Sequence, residues 1–247
     1  MKYSILMKTT IISFFATIII GFVACEKDEP KETEETPIFS ENFDSTLSQW
    51  VVEQIPGGTT EIVNGKLEIN DYNGVTIWFK EKMTGDIRIE YDIFMIDSGG
   101  KYDNVRDLNS FWKAIDPDNP DDIFANSSSR TGQFREYNAF RLYYVGYGGR
   151  ENTTTRFRRY PGDGTTPLLP EHDLSDSSLL NVPNIERHVT ITCKGNQVTW
   201  AIDTTTVFDY YDEEPFEDGW FGFRTVSNHM TIDNFKVFSL EEEEEQE

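Results

Sequence analysis

The chain has 247 residues, with 44 acidic against 22 basic side chains and a formal net charge of −22. That surplus of negative charge argues against nucleic acid, or an anionic membrane surface, as a partner.

Lys2 and Lys8 precede an apolar run from Ile11 to Val23, followed by Ala24 and Cys25. A basic start, an apolar stretch too short to span a bilayer comfortably and a small residue before the cut predict a secretory signal peptide over residues 1–24. The Ala24-Cys25 junction resembles the lipobox of bacterial lipoproteins, with Phe22 where Leu is usual, and this resemblance implies lipidation of Cys25. The next residues, Glu26-Lys-Asp-Glu29, resemble the acidic export tag of Bacteroidetes surface lipoproteins. Together they imply an outer-membrane, cell-surface lipoprotein (alternatively one on the periplasmic face) that meets the membrane through its lipid anchor only. Residues 25–37 read as a disordered tether, since Pro30 to Pro37 holds no apolar side chain. The like-charge run 241–247 reads as a solvated tail. With Cys25 acylated, Cys193 has no partner for an intrachain disulfide. It shares strand parity with Val189 and Ile191, which predicts a buried thiol.

Residues 38–240 are long enough for one substantial core, and strand signals dominate them. Glu61 to Ile69 is a hairpin around Asn64-Gly65. Val75 to Phe79 follows, and then Ile87, Ile89, Tyr91, Ile93 and Met95 alternate with Arg88, Glu90, Asp92 and Phe94. From Asp97 to Phe134 the chain is rich in Gly, Asp, Asn and Ser and reads as one long functional loop. Within it Arg106, Asp107, Asn109 and Trp112 sit close together and are expected to wall a groove. Later strands are His188 to Lys194, Gln197 to Asp203, Trp220 to Val226 and Met230 to Phe238. Many short strands with regular turn signals predict an all-β fold, an antiparallel β-sandwich of jelly-roll type with one long loop insertion.

The stretch from Arg135 to Tyr147 reads as a strand of period two. Asn138, Phe140, Leu142 and Tyr144 then share a core face. Arg135, Tyr137, Arg141, Tyr143 and Tyr147 share the other, expected to be the floor of a glycan groove. Aromatic rings offer sugars an apolar platform, and guanidinium forks pair with carboxylate or sulfate. Arg130, Arg135, Arg141, Arg150, Arg156, Arg158 and Arg159 lie in a segment whose acids are Glu136 and Glu151. This predicts a local anion site; the alternative is that these arginines pair with the protein's surplus carboxylates.

The opening Phe39-Ser-Glu-Asn-Phe-Asp44 with Trp50, and the closing Asp218-Gly-Trp-Phe-Gly-Phe-Arg224 and Met230-Thr-Ile-Asp-Asn-Phe-Lys-Val237, resemble the first and last strands of concanavalin A-like (laminin G-like) jelly rolls. Such folds host lectins, hydrolases and lyases alike. The laminarinase-type enzymes space their acids along one strand. Here Glu90 and Asp92 give the first half of that pattern, but Phe94 and Met95 stand where the second acid belongs.

A polysaccharide lyase needs a group that neutralises the uronate carboxylate, a base and a proton donor. Jelly-roll alginate and glucuronan lyases supply these from the concave sheet, and the residue types here match. Tyr137, Tyr143 and His172 are the catalytic candidates. Arg106, Asn109, Trp112, Arg135, Arg141, Tyr147 and Arg158 are the substrate-binding candidates. The expected partner is an acidic, uronate-containing oligo- or polysaccharide, acted on by lyase-type β-elimination. The alternative is a non-catalytic glycan-binding protein of a polysaccharide-utilisation system. No cofactor is expected. A structural Ca²⁺ is carried over from the resemblance, between residues near Glu41 and Asp44 and Asp233; Asp116 to Asp122 is a second oxygen-rich stretch.

Overall fold

The computed structural model describes residues 35–241. The signal segment, Cys25, most of the tether and the tail beyond Glu241 lie outside the described residues. The described residues form two antiparallel sheets. Sheet A runs in the order β14 (Thr205–Tyr211), β13 (Gln197–Ile202), β12 (Glu186–Lys194), β7 (Ile87–Met95), β16 (Asn228–Ser239), β4 (Lys66–Asp71) and β3 (Thr59–Val63), with β1 (Phe39–Glu41) also on β16. Sheet B runs β11 (Asp173–Leu174), β10 (Thr154–Pro161), β9 (Arg141–Gly148), β8 (Leu108–Ile115), β15 (Asp218–Thr225), β5 (Val75–Phe79) and β2 (Trp50–Gln54), with β6 (Met83–Thr84) also on β15. The last two strands thus sit in the interior of their sheets, β15 between β8 and β5 and β16 between β7 and β4.

Local chemistry sets these elements. Asn64 and Gly65 close the β3–β4 hairpin with φ of 53° and 74°, the left-handed pair that a two-residue hairpin turn demands. Along β7, Ile87, Ile89, Tyr91, Ile93 and Met95 are buried while the residues between them are half-exposed. They meet Val189, Ile191 and Cys193 of β12, all buried as their parity predicts. Facing them from sheet B are Leu108, Trp112, Tyr143, Val145, Phe221 and Phe223, and the two sets form one core between the sheets. Each large apolar side chain so buried contributes about 1.5–3 kcal/mol.

Sheet B carries a second core on its outer face. Trp78, Phe111, Leu142, Tyr144, Tyr160 and Trp220 pack there against Ile123, Tyr137 and Phe140 of the segment linking β8 to β9. Accordingly β5 and β8 are buried at every position. The covering segment is pinned by one carboxylate. Glu53 of β2, 3% exposed, accepts hydrogen bonds from Ser127 Oγ (2.7 Å), Tyr137 Oη (2.7 Å), Trp78 Nε1 (3.3 Å) and Arg130 Nε (2.9 and 3.0 Å). Burial of a charge is tolerable only when it is paired and hydrogen-bonded this fully.

Three expectations are corrected by this arrangement. The long loop expected from Asp97 to Phe134 is cut in two by β8, an interior strand of sheet B, and Trp112 points between the sheets, where it is fully buried. The strand expected from Arg135 begins only at Arg141, because Phe134–Tyr137 forms a 3₁₀ turn. The two faces of that strand are also exchanged: Tyr143 and Tyr147 enter the core between the sheets, whereas Leu142 and Tyr144 lie on the outer face. Within β9 the grouping by parity holds and its direction is reversed, the result expected when both faces of a strand are apolar enough to bury, whereas Tyr137, in the 3₁₀ turn, joins Phe140, Leu142 and Tyr144 in the second core.

Candidate functional site

The register of sheet B lays out its outer face as two rows. One runs Thr76, Arg224, Asn109, Gly146, Arg156 from β5 to β10, and the next runs Trp78, Gly222, Phe111, Tyr144, Arg158. The β8–β9 segment covers the aromatic part of the second row. Its Phe134 ring reaches the border of the first, 5.5 Å from the Tyr144 ring and 5.3 Å below the Arg224 guanidinium. A polar cluster lies at this border.

Asn109, fully buried, is its hub. Its Nδ2 donates to Asp107 Oδ2 (2.6 Å) and to the Arg224 carbonyl (3.1 Å), while its Oδ1 accepts from the Tyr144 hydroxyl (2.8 Å). The Tyr144 ring lies over Gly146, where a Cβ would collide with its hydroxyl, so only glycine fits there. Arg224 is 7% exposed, and its Nε is buried without a hydrogen-bond partner. Its closest carboxylate oxygen is Asp107 Oδ2, 3.8 Å from Nη1, too far for a hydrogen bond. Burial pushes the Asp107 carboxyl above its ordinary range, against the opposing pull of Arg224 and Asn109. Burial likewise raises the Tyr144 phenol, and the neighbouring Asp107 adds to that rise. The result is an under-neutralised guanidinium, a carboxyl poised toward protonation and a phenol, on one wall beside an aromatic ring. Arrays of this kind recognise an anionic group.

The residues expected from sequence are distributed as follows. Asn109 belongs to the cluster. Arg158 flanks it through its pairing with Tyr144, and donates to the Thr166 carbonyl. Arg106, one residue before Asp107, pairs with the exposed Glu151 at 3.1 Å. Arg135 is exposed and has no ion-pair partner among the described residues. Arg141 pairs with Asp218 at 2.9 Å and lies 4.8 Å over the Phe216 ring. Tyr137, 1% exposed, spends its hydroxyl on Glu53. Tyr143, with no exposure, donates to Asp212 Oδ2 (2.6 Å) and accepts from the Phe216 amide (3.1 Å). Tyr147 donates to the Leu180 carbonyl at 2.9 Å from the core between the sheets. All three phenols are tied to protein partners, and Tyr143 also lines a cleft of about 540 Å³ with Asp86, Cys193, Phe216 and Asp218.

His172 packs edge-on against Phe157 at 5.1 Å, and burial lowers its pKa. It shares a cleft of about 220 Å³ with Arg158 and Arg159. The arginine-rich segment is mostly neutralised from within: Arg130 pairs with Glu53, Arg156 with Asp173 and Arg159 with Asp212, each at 2.6–2.7 Å. Pairing with surplus carboxylates therefore accounts for much of it.

The expected calcium ligands do not converge. Glu41 accepts from the Phe43 amide at 2.8 Å, Asp233 pairs with Lys66 at 3.4 Å, and Asp44 is exposed. Asp116 accepts from Asp118 N and Asn119 Nδ2 in a self-satisfied turn. Among the described residues no group of three or more His, Cys, Asp or Glu is arranged to hold a metal ion.

Sequence reading missed Tyr144 and Arg224 as site residues. Arg224 shares strand parity with Gly222, a signal that the backbone of that face is left open to the Trp78 ring, which a Cβ on Gly222 would meet at 2.6 Å.

Fold and cluster together define an all-β sandwich of jelly-roll type with a polar site on the outer face of one sheet. The chain belongs to the family described as "Domain of unknown function (DUF6250)", whose model matches residues 69–235. No curated protein matches it. Among solved structures it is similar to a protein of unknown function with a galectin-like fold from Bacillus subtilis, at 17% identity and TM-score 0.64, over 83% of this chain and 97% of that one. It is also similar to the carbohydrate-binding module CBM66 from Bacillus subtilis, at 15% identity and TM-score 0.52, over 77% and 96%. A third similar structure is the exoplasmic/lumenal domain of VIP36 in its form bound to Ca²⁺ and Man3GlcNAc, at 14% identity and TM-score 0.54, over 83% and 89%.

Proposed function

We propose that this protein recognises an acidic glycan on the outer face of sheet B, with the Arg224 guanidinium as the primary contact for a uronate carboxylate. The observation that carries the reading is the state of Arg224: a guanidinium less than a tenth exposed, with a buried Nε that has no partner and a carboxylate only at 3.8 Å. A charged group buried with an unused donor costs free energy unless a ligand supplies the acceptor. Nε itself is closed off, so a ligand carboxylate would pair with the Nη groups at the accessible edge, beside the half-buried Phe134 ring. The fold is shared with the carbohydrate-binding module CBM66 and with the VIP36 domain that binds Man3GlcNAc, which supports a glycan ligand; its acidic character rests on Arg224 alone. Residues 1–25 extend the proposal to location, a lipoprotein held at the outer cell surface through Cys25.

A lyase reading rests on one further observation, the raised Asp107 carboxyl next to Arg224. With Arg224 neutralising the uronate carboxylate, Asp107 as the base would take the proton from C5, the electron pair would form the C4–C5 double bond, and the C4–oxygen bond would break as the leaving oxygen takes a proton. The Tyr144 hydroxyl is the nearby donor.

The test uses pectate, alginate and glucuronan with the described domain. Arg224→Ala should weaken binding of the preferred polymer by about 1.5–3 kcal/mol, the range for a hydrogen bond to a charged group. Arg224→Lys should restore only part of it, because a point charge does not reproduce the fork. Neutral glycans binding as tightly as uronates would overturn the proposal. Growth of ultraviolet absorbance from a new C=C bond decides between turnover and binding alone.

A further inference from the structure

Tyr72, in the turn after β4, is 55% exposed, and its ring stacks on that of Tyr102 with centroids 5.5 Å apart and planes at 26°. The Lys101 ammonium sits 4.7 Å from the Tyr102 ring centroid. Neither ring belongs to either core. An aromatic side chain more than half exposed wastes the apolar area that would repay its burial, so an exposed ring stacked on a half-buried one is a surface feature in want of an account.

Hydrogen bonds fix the backbone on both sides of the pair. Tyr102 belongs to a loop organised by Asp103, whose carboxylate accepts from the amides of Ser98 (2.8 Å) and Gly100 (2.9 Å) and is bonded to His229 Nδ1 (2.7 Å). Tyr72 belongs to a turn fixed by the Gly74 amide donating to Asp71 Oδ1 at 2.5 Å and by Asn73 Nδ2 donating to the Pro56 carbonyl at 2.8 Å. That turn also leads straight to the anion site. Gly74, at φ 121°, is so close to Arg224 that a Cβ there would lie 3.2 Å from Nη2. Tyr72 is two residues away, so its Cα lies within about 7 Å of the Gly74 Cα.

We propose that the Tyr72–Tyr102 stack is a second sugar subsite, a platform for a neighbouring ring of the same acidic oligosaccharide whose carboxylate occupies Arg224. This rests on the reading given under Proposed function and extends it: the ligand is a chain of several units, and Lys101 meets a carboxylate on the outlying unit. A ring on Tyr72 leaves its hydroxyl free, so contact is by the face and not by a hydrogen bond.

The test takes whichever of pectate, alginate and glucuronan binds best, cut into oligomers of increasing length, and measures affinity by calorimetry for four proteins. For wild type, affinity should rise with length. Tyr72→Ala should lower affinity at least about tenfold for the long oligomers and leave the shortest unchanged, a loss of about 1.4 kcal/mol. Tyr72→Phe should match wild type, and Arg224→Ala should weaken every length. If Tyr72→Ala leaves the length dependence intact while Arg224→Ala removes binding, the platform is overturned and the anion site stands. If Tyr72→Ala removes the length dependence while Arg224→Ala has no effect, the anion site is overturned and the platform survives as a stacking site. Absence of binding by all three polymers overturns both.

Discussion

The outer faces of the two sheets make an instructive pair. On sheet A, β7 presents Arg88, Glu90 and Asp92 to solvent, and these charges settle sideways: Arg88 donates to Glu90 at 2.6 Å, and Asp92 pairs with His188 Nδ1 at 2.7 Å. This face satisfies itself without a cover. On sheet B the corresponding face is aromatic, so it is covered by the β8–β9 segment, and the cover needs its own anchor in Glu53. Where that cover ends, at Phe134, sheet B carries a cluster of enclosed polar groups. Asp107, Asn109 and Arg224 are too polar for the second core and too enclosed for ordinary solvation, and Tyr144 links that core to them through its hydroxyl. The polar cluster thus lies at the border between a packed and an open surface, where the Arg224 guanidinium keeps a donor without a partner.

The hardest test of this contrast removes the anchor. Glu53→Ala should destabilise the fold by about 3–5 kcal/mol, the cost of leaving a buried Arg130 without its partner. Chemical denaturation would measure it, and amide exchange should quicken first between Ile123 and Tyr137. A loss below about 1 kcal/mol would mean the cover is held by its apolar contacts alone. Tyr143→Phe comes next: it orphans the buried Phe216 amide and leaves Asp212 Oδ2 with Arg159 as its remaining donor, for about 1–3 kcal/mol of stability, while glycan affinity stays at the wild-type value. A variant that keeps full stability but loses affinity or turnover would return Tyr143 to the site.

Smaller still is the effect of pH on the site. Asp107 is raised above its ordinary value, so as pH falls from neutral it protonates before an exposed carboxyl would, and Arg224 is then opposed by no anion. Uronate affinity should therefore rise on mild acidification, until the uronate itself protonates near its own pKa of about 3.5. Asp107→Asn should show the higher affinity, about tenfold, already at neutral pH and lose the pH dependence. A titration in which both proteins respond alike would remove Asp107 from the account. At the small end, Thr192→Ala on the outer face of sheet A should change stability by no more than about 0.5 kcal/mol. A larger loss would show that sheet A also depends on what lies over its face.

The two faces also explain which parts of the molecule could be read from residues alone. Strands with one wet face announce themselves. The alternation from Ile87 to Met95, the Asn64-Gly65 turn and the parity of Val189, Ile191 and Cys193 all appear as expected. Strands buried on both sides carry no such mark. In β9, Tyr143 and Tyr144 are both enclosed, so period two separates them into groups without saying which group meets the other sheet. In β8, Leu-Asn-Ser-Phe-Trp-Lys-Ala-Ile has no alternation at all and reads as loop. The site was legible in part for the same reason. Asn109 and its neighbour Asp107 were visible as a polar cluster near aromatics. Arg224 and Tyr144 join them only through the pairing of β15, β8 and β9, strands far apart in sequence. The arginines between Arg130 and Arg159 misled because their carboxylate partners, such as Glu53 and Asp212, are also distant.

The central places of β15 and β16 have a consequence for the order of events in biosynthesis. Sheet B cannot join β5 to β8 without β15, and sheet A cannot join β4 to β7 without β16. The Trp220 indole donates to the Lys80 carbonyl across a separation of 140 residues. Neither sheet can therefore close while the chain is still growing, and the nascent polypeptide has no complete folding unit until almost its last residues have been added. Long-range closure of this kind makes folding slow. Under the location proposed above, slowness is an asset: the chain would leave the ribosome in the extended form that a translocation pore requires, and its architecture would postpone compaction until the far side.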